Sequence, residues 1–273
     1  MYKALLTFFA MTLLTTAAVA QTPNLDSINE SDLEDVVHDF SAVFSHSPLS
    51  SAAPLGSVFG IEAALVGGLV STPNLERLTK ENDPTSDFDQ VPYLSLVGQV
   101  SLPFGITGEI SFLPEVDAED FTFKTMGLAA KWTLTETLLA GFPIDLAIRV
   151  HGTQSDLSYS QIINNASTSG AVTSTIEYSN TIYGAQLVLS KNLLVVEPYV
   201  GVGFLNASGE LGVNGEGSIF DTSYTTASQA DADVSGLEYF GGMEVNLLLI
   251  RGVVQYSRVF DADKIALKLA FGF

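Results

Sequence analysis

The sequence predicts an all-β fold: a transmembrane antiparallel up-and-down β-barrel of about ten strands, with eight or twelve as alternatives, and a short N-terminal α-helix. Three observations predict it. First, the C-terminus alternates strictly: Ile265, Leu267, Leu269, Phe271 and Phe273 interleave with Lys264, Ala266, Lys268, Ala270 and Gly272. Period-2 alternation places one set on each face of a strand, so one face is apolar and ends in aromatics while the other is small or cationic. Second, 47% of the 273 residues are hydrophobic and only 15% are charged. Yet no segment after Ala20 has the uninterrupted apolar run of about 18 residues that a helical span needs. Third, the segments between predicted strands alternate short and long, as in barrels with short turns at one rim and longer loops at the other.

The chain begins with Lys3, then an apolar run from Ala4 to Ala20 broken only by Thr residues, closing on Ala18-Val19-Ala20. That is a secretory signal peptide over 1–20, cleaved after Ala20. The run is short for a membrane anchor. An N-terminal periplasmic helix and linker are expected over 21–55, and the barrel over 56–273. Cysteine is absent, so neither disulfides nor thiol chemistry is expected. Eleven Lys+Arg against 31 Asp+Glu give a net charge of −20, which argues against nucleic acid as a partner.

The helix is predicted over 26–44. Ser31 stands three residues before Glu34, a capping-box spacing. Leu33, Val36, Val37, Phe40 and Phe44 recur on one face, with Val43 beside them, and Asp26, Glu30, Asp32, Glu34, Asp35 and Asp39 lie on or near the other. A Ser/Ala/Pro-rich loop over 45–54 follows. Ten strands are then expected, at 56–70, 91–102, 106–113, 121–134, 144–153, 176–189, 195–204, 237–247, 251–260 and 264–273. The connections at 103–105, 135–143, 190–194 and 248–250 are short. Those at 71–90, 114–120, 154–175 and 205–236 are mostly longer, and 261–263 is the exception. A soluble sandwich also alternates, but around an apolar interior. Here the polar face carries ionisable residues on several strands.

The C-terminal strand, together with segments such as Glu197-Pro198-Tyr199-Val200-Gly201-Val202-Gly203, resembles bacterial (Gram-negative) outer-membrane β-barrel proteins over 56–273, with no single family picked out. The resemblance implies residence in the outer membrane. It implies contact with outer-membrane lipid and lipopolysaccharide, and a terminal aromatic signal (Ile265, Leu267, Leu269, Phe271, Phe273) read by the barrel-assembly machinery. It is compatible with passive passage or uptake of a small-molecule solute, or with a non-conducting structural or adhesive surface barrel.

Three clusters could carry function. Glu109, Arg149, Glu197, Glu238, Glu244, Arg251 and Lys268 are expected to face the lumen, as a salt-bridge network or a selective constriction. The helix face Leu33, Val36, Val37, Phe40 and Phe44 is expected to dock, either as a plug or against the short turns. Barrels plugged by a helix form a class, and the N-terminal hatch of fatty-acid transporter barrels is loosely similar. Acidic residues gather in three outer segments: Glu76, Glu81, Asp83, Asp87 and Asp89; Glu115, Asp117, Glu119 and Asp120; Asp221, Asp231 and Asp233. They lack a calcium-loop spacing, so no metal and no cofactor is expected. His151 is the only strand histidine, with Ser155 and Asp156 nearby. That spacing is not diagnostic of catalysis, and no enzyme is expected. Two Asn-Ala-Ser acceptor patterns, at Asn165 and Asn206, are discounted in a bacterial setting.

Overall fold

The computed structural model describes residues 30–56, 58–82, 89–118, 121–164, 171–214, 217–219, 222–224 and 228–273. The predicted signal peptide at 1–20, the loop acids Asp83, Asp87, Glu119, Asp120 and Asp221, and the Asn165 pattern lie outside them.

The first element is helix α1 (Glu30–Phe44). Then come β1 (Gly60–Ser71), α2 (Pro73–Asn82), β2 (Gln90–Leu102), β3 (Ile106–Ala118), β4 (Phe121–Thr133), β5 (Asp145–Asn164), β6 (Ala171–Ser190) and β7 (Val196–Asn214). After a small hairpin, β8 (Gly217–Ile219) and β9 (Thr222–Tyr224), follow β10 (Ser228–Leu247), β11 (Ile250–Val259) and β12 (Ala262–Gly272). Strands β1–β7 and β10–β12 close into one ten-stranded antiparallel barrel in chain order, and β8–β9 stand apart from it. The seam pairs β12 with β1, Leu269 opposite Leu65. It ends where Ile61 and Phe273 exchange backbone hydrogen bonds of 2.8 and 3.0 Å.

The barrel is inverted relative to a soluble one. Along β12 burial alternates without a break. Ile265, Leu267, Leu269, Phe271 and Phe273 are each more than half exposed, while Lys264, Ala266, Lys268 and Ala270 are buried inside. The outward faces of β2 to β11 continue that apolar surface, from Leu96, Val100 and Ile110 to Val202 and Val254. An apolar band around a polar interior defines a transmembrane barrel. None of the described helices is long and apolar enough to cross a membrane.

The structure corrects several of the expected boundaries: β3 runs on to Ala118 and β12 starts at Ala262. Strands β5, β6, β7 and β10 run for 19 or 20 residues, twice the roughly 9–11 needed to span a bilayer. Much of the predicted loops 154–175 and 205–236 is therefore strand. In these extensions the outward face turns polar, with Asn206, Ser208, Glu210, Asp231 and Asp233 exposed, while the inner face packs on α1 through Tyr178, Leu205, Ala207, Ala232 and Val234, so the ladder continues where the outward apolar alternation stops. The predicted loop 71–90 contains helix α2, with Pro73 at its start, Glu76 in its first turn and Lys80 in its last, the order that its dipole favours. Helix α1 is described from Glu30, so the predicted start at 26 lies outside the described residues.

Candidate functional site

The chain from α1 to β1 runs through the barrel as a strap, and is not a periplasmic arm. Its direction follows from its contacts. At the long-loop end, Arg77 of α2 bonds Asp35 at 2.6 Å and lies 3.6 Å from Asp32. One turn deeper, the Asp39 carboxylate accepts hydrogen bonds from the Asn74 and Leu75 N–H groups (2.9 and 2.8 Å) and from the Asn74 side chain (3.0 Å). It thereby caps α2, since the first-turn N–H groups of a helix have no partner within it. Val36 packs on Leu75 and Leu78. Burial outweighs these bonds and raises the Asp39 carboxyl to about 6.

Below this catch the helix fills the upper lumen. Leu33, Val37 and Phe44 join a core with Tyr178, Ile182, Leu205, Val234 and Phe260 of the wall. Phe40 packs at 5.0 Å from Tyr178, and Phe44 stacks at 4.9 Å on Phe123. The five predicted face residues all dock, four toward the wall and Val36 toward α2. At the C-terminal end of α1 the buried Lys264 ammonium donates to the carbonyls of Ala42, Val43 and Ser45 at 3.2–3.5 Å. A cation there meets the negative end of the helix dipole.

From His46 the strap descends as chain outside helix and strand, kinked at Leu49 (φ 47°), and wall side chains bond it level by level. His46 Nδ1 lies 3.0 Å from Ser111 Oγ, and its Nε2 lies 3.3 Å from Glu109. Arg149 pairs with Glu109 at 3.0 Å and donates to Ser50 Oγ at 2.6 Å. Lys131 donates to the carbonyls of Ser51 and Ala53, both at 2.8 Å. Thr133 donates to the Ala52 carbonyl at 2.6 Å, and Ser190 accepts from the Ala52 N–H at 3.2 Å. At the short-turn rim Arg251 donates to the Leu55 carbonyl at 2.9 Å. Chain outside helix and strand leaves its backbone groups without regular partners, so the wall must supply them.

All seven predicted lumen charges face inward. Glu109 and Arg149 meet directly. Arg251 and Lys268 meet on Glu62, at 3.3 and 2.8 Å. Glu238 accepts from Gln186, which in turn accepts from Arg149. Glu197 accepts from Ser190, and Glu244 from the Ser51 N–H. Missing from the predicted set are Glu62, Lys131, Lys264 and His46. Lys131 and Lys264 were readable from the same alternation. Glu62 lay hidden in the weakly patterned, Gly-rich first strand. His46 had no pattern, because its place is set by the strap's path. His151 stacks on His46 at 5.5 Å, but neither of its ring nitrogens has a hydrogen-bond partner among the described residues.

Ser111, His46 and Glu109 stand in the order of a proton relay. A void of about 10 Å³ beside His46 and Arg149 has room for about one water and none for a substrate. The chain of contacts bolts the strap to the wall. Among the described residues no group of three or more His, Asp or Glu is arranged to hold a metal ion. Among the described residues the buried wall acids Glu62, Glu109, Glu197, Glu238 and Glu244 face Lys131, Arg149, Arg251, Lys264 and Lys268, with Asp145 on the inward face of β5 at the rim.

Fold and site together define a transmembrane β-barrel whose lumen is occupied by its own N-terminal segment. The chain belongs to a family of unknown function, DUF6588, whose model matches residues 6–273. No curated protein matches it. Among solved structures, it is similar to Ail, the attachment invasion locus protein of Yersinia pestis, at 10% identity and TM-score 0.25, over 78% of this chain and 98% of that one. It is also similar to the beta domain of the Bordetella autotransporter BrkA, at 11% identity and TM-score 0.39, over 79% and 99%. A third is a mutant of the monoaromatic hydrocarbon channel TodX, at 9% identity and TM-score 0.29, over 86% and 97%.

Proposed function

We propose that this protein is a Gram-negative outer-membrane passage barrel for small solutes, held shut at rest by a strap (residues 30–55) that leaves the lumen to open it. The observation that carries this reading is the chemistry of the wall behind the strap. A barrel meant to stay closed is most cheaply filled with apolar side chains, since buried ion pairs recover little of their desolvation cost. This wall instead keeps Glu, Lys, Arg, Gln, Ser and Thr at the strap, and some of those groups go unused. Gln99, His151 and Thr153 have polar side-chain atoms with no hydrogen-bond partner among the described residues. Such groups destabilise the sealed state by about 1–3 kcal/mol each and are satisfied once water enters. The wall suits water as well as it suits the strap. No enzymatic activity is part of this proposal.

The test is conductance in planar bilayers. The intact chain should be silent or open rarely, while a chain lacking residues 30–54 should give steady single-channel currents. The deletion must reach 54, because the chain below His46 blocks the lower lumen as α1 blocks the upper. A folded barrel that is silent in both forms would refute passage. It would favour the second reading, a non-conducting surface barrel, which the filled lumen also fits.

A further inference from the structure

The short-turn rim is built from residues that a water-facing turn does not use. Strands β10–β11 and β6–β7 are joined by two-residue turns whose first residues are Leu248 (φ 57°) and Leu194 (φ 71°). Phe104, in the turn between β2 and β3, has φ 68°. Left-handed backbone favours Gly, Asn or Asp, and two-residue hairpins in water take Asn-Gly or Asp-Gly. Here the strained positions carry large apolar side chains that touch almost nothing: Leu248 is 99% exposed, Leu194 91% and Phe104 74%. In the fourth short connection Leu138 and Phe142 are likewise exposed. The turn at the opposite rim differs. Phe260 (φ 48°) and Asp261 (φ 66°) fill it, with Phe260 buried and the Asp261 carboxylate exposed beside Arg258.

Strand length sets the depth of this rim. Strands β11 and β12 have 10 and 11 residues, about the 9–11 that cross the hydrocarbon and no more. The Leu248-Leu249 turn therefore begins where the lipid-facing surface ends. That surface is continuous with the turns, through Leu247 and Ile250 beside one and Val195 beside another.

We propose that the four short turns form a lipid-seated ring, with Phe104, Leu138, Phe142, Leu194 and Leu248 inserted among the lipids of the inner leaflet of the outer membrane rather than projecting into the periplasm. The ring fixes how deep the barrel sits. This holds whether or not the strap moves.

The chain has no cysteine, so single nitroxide labels can be placed at Leu194→Cys, Leu248→Cys and, as a wet control, Asp261→Cys. The full chain is reconstituted in phosphatidylethanolamine–phosphatidylglycerol vesicles. Collision rates with oxygen, which partitions into lipid, are then compared with those of a water-soluble nickel chelate. The labels at 194 and 248 should favour oxygen over nickel several-fold more than the label at 261. Equal ratios at all three sites would overturn the proposal. Suppression of both collisions at 194 and 248 would overturn it too, since it would mean cover by a second copy or another protein. A second arm uses Leu194→Asn with Leu248→Asn, which relieves the backbone. This variant should fold in detergent at least as well as the parent but insert into vesicles less efficiently. Undiminished insertion would count against the ring.

Discussion

Asp39 is the residue on which the contact between α1 and α2 turns most directly. It is fully buried, yet it is the acceptor for three donors of α2. The charged groups around this contact are Asp35 and Asp32 on its own helix, and Arg77, Glu76 and Lys80 on α2. Replacing Asp39 with Ala leaves two N–H groups of α2 without acceptors, which costs about 1–2 kcal/mol on the scale of a lost helix cap. The catch should loosen, and channel openings of the otherwise intact chain should become more frequent. The pH dependence has a definite sign. Burial raises this carboxyl from 3.8 to about 6, so the latched state binds the proton more tightly than the unlatched state. The stabilisation is complete below about pH 3.8 and is lost as pH rises through about 6. Acid therefore tightens the catch, and openings should be rarer at pH 5 than at pH 7.5. Asp39→Asn mimics the protonated group and should remove this part of the pH response. An unchanged pH profile in Asp39→Asn would show that Asp39 does not set it.

At the scale of elements, α1 is held at both ends by charge and along its length by aromatics. Lys264 serves its C-terminal end, so Lys264→Met should free that end. A cation at a helix C-terminus contributes up to about 2 kcal/mol in partly buried geometries. The expected readout is faster hydrogen exchange over residues 40–46 with the barrel strands unchanged. Strand β12 makes the second testable element. Deleting Phe273 removes the hydrogen bonds that close the seam with Ile61. The truncated chain should accumulate as an unassembled, protease-sensitive species, measured by fractionation and heat-modifiable migration on gels. Normal assembly would show that the terminal aromatic is dispensable.

Elements differed in how well the sequence revealed them, and the reason is where the two faces of a strand point. The faces of strand β12 were legible, though it begins at Ala262 and not at Lys264, because one of its faces meets lipid and the other the lumen. Strand β1 was blurred because Gly67 and Gly68 interrupt its pattern; Gly68 packs so closely against Ile265 and Tyr93 that a Cβ would clash. The upper halves of β5, β6, β7 and β10 were illegible, since there the outward face is polar and the inner face is covered by α1, whose position the sequence did not reveal. The apolar face of α1 could be read from spacing, but not its destination. The run from His46 to Leu55 has no periodicity because its partners belong to the wall.

At the scale of the whole molecule, the net charge of −20 misleads about the lumen. Acids outnumber bases nearly threefold in the chain, yet among the described residues five buried wall carboxylates face five wall cations inside the barrel, with only Asp145 added at the rim. The excess acid lies outside the described lumen wall. Glu34, Glu115, Asp231 and Asp233, for instance, are exposed. A strap-deleted barrel should therefore show only weak cation preference, arising at the mouth from focused loop carboxylates. That preference should fade at about 1 M salt, where screening shortens to about 3 Å. A strong preference persisting at high salt would place uncompensated charge in the lumen.

The strap also dictates a chronology. Every pair of neighbouring strands in the barrel except β1 and β12 is joined directly through the chain, so that seam is the natural last closure. The strap leads straight into β1, so it can lie across the open sheet before the edges meet. The barrel is then wrapped around its strap, as a hoop is closed around a rope. A strap supplied separately as a peptide lacks that tether and should seal a strap-deleted barrel more slowly than the tethered strap re-seats in the intact chain.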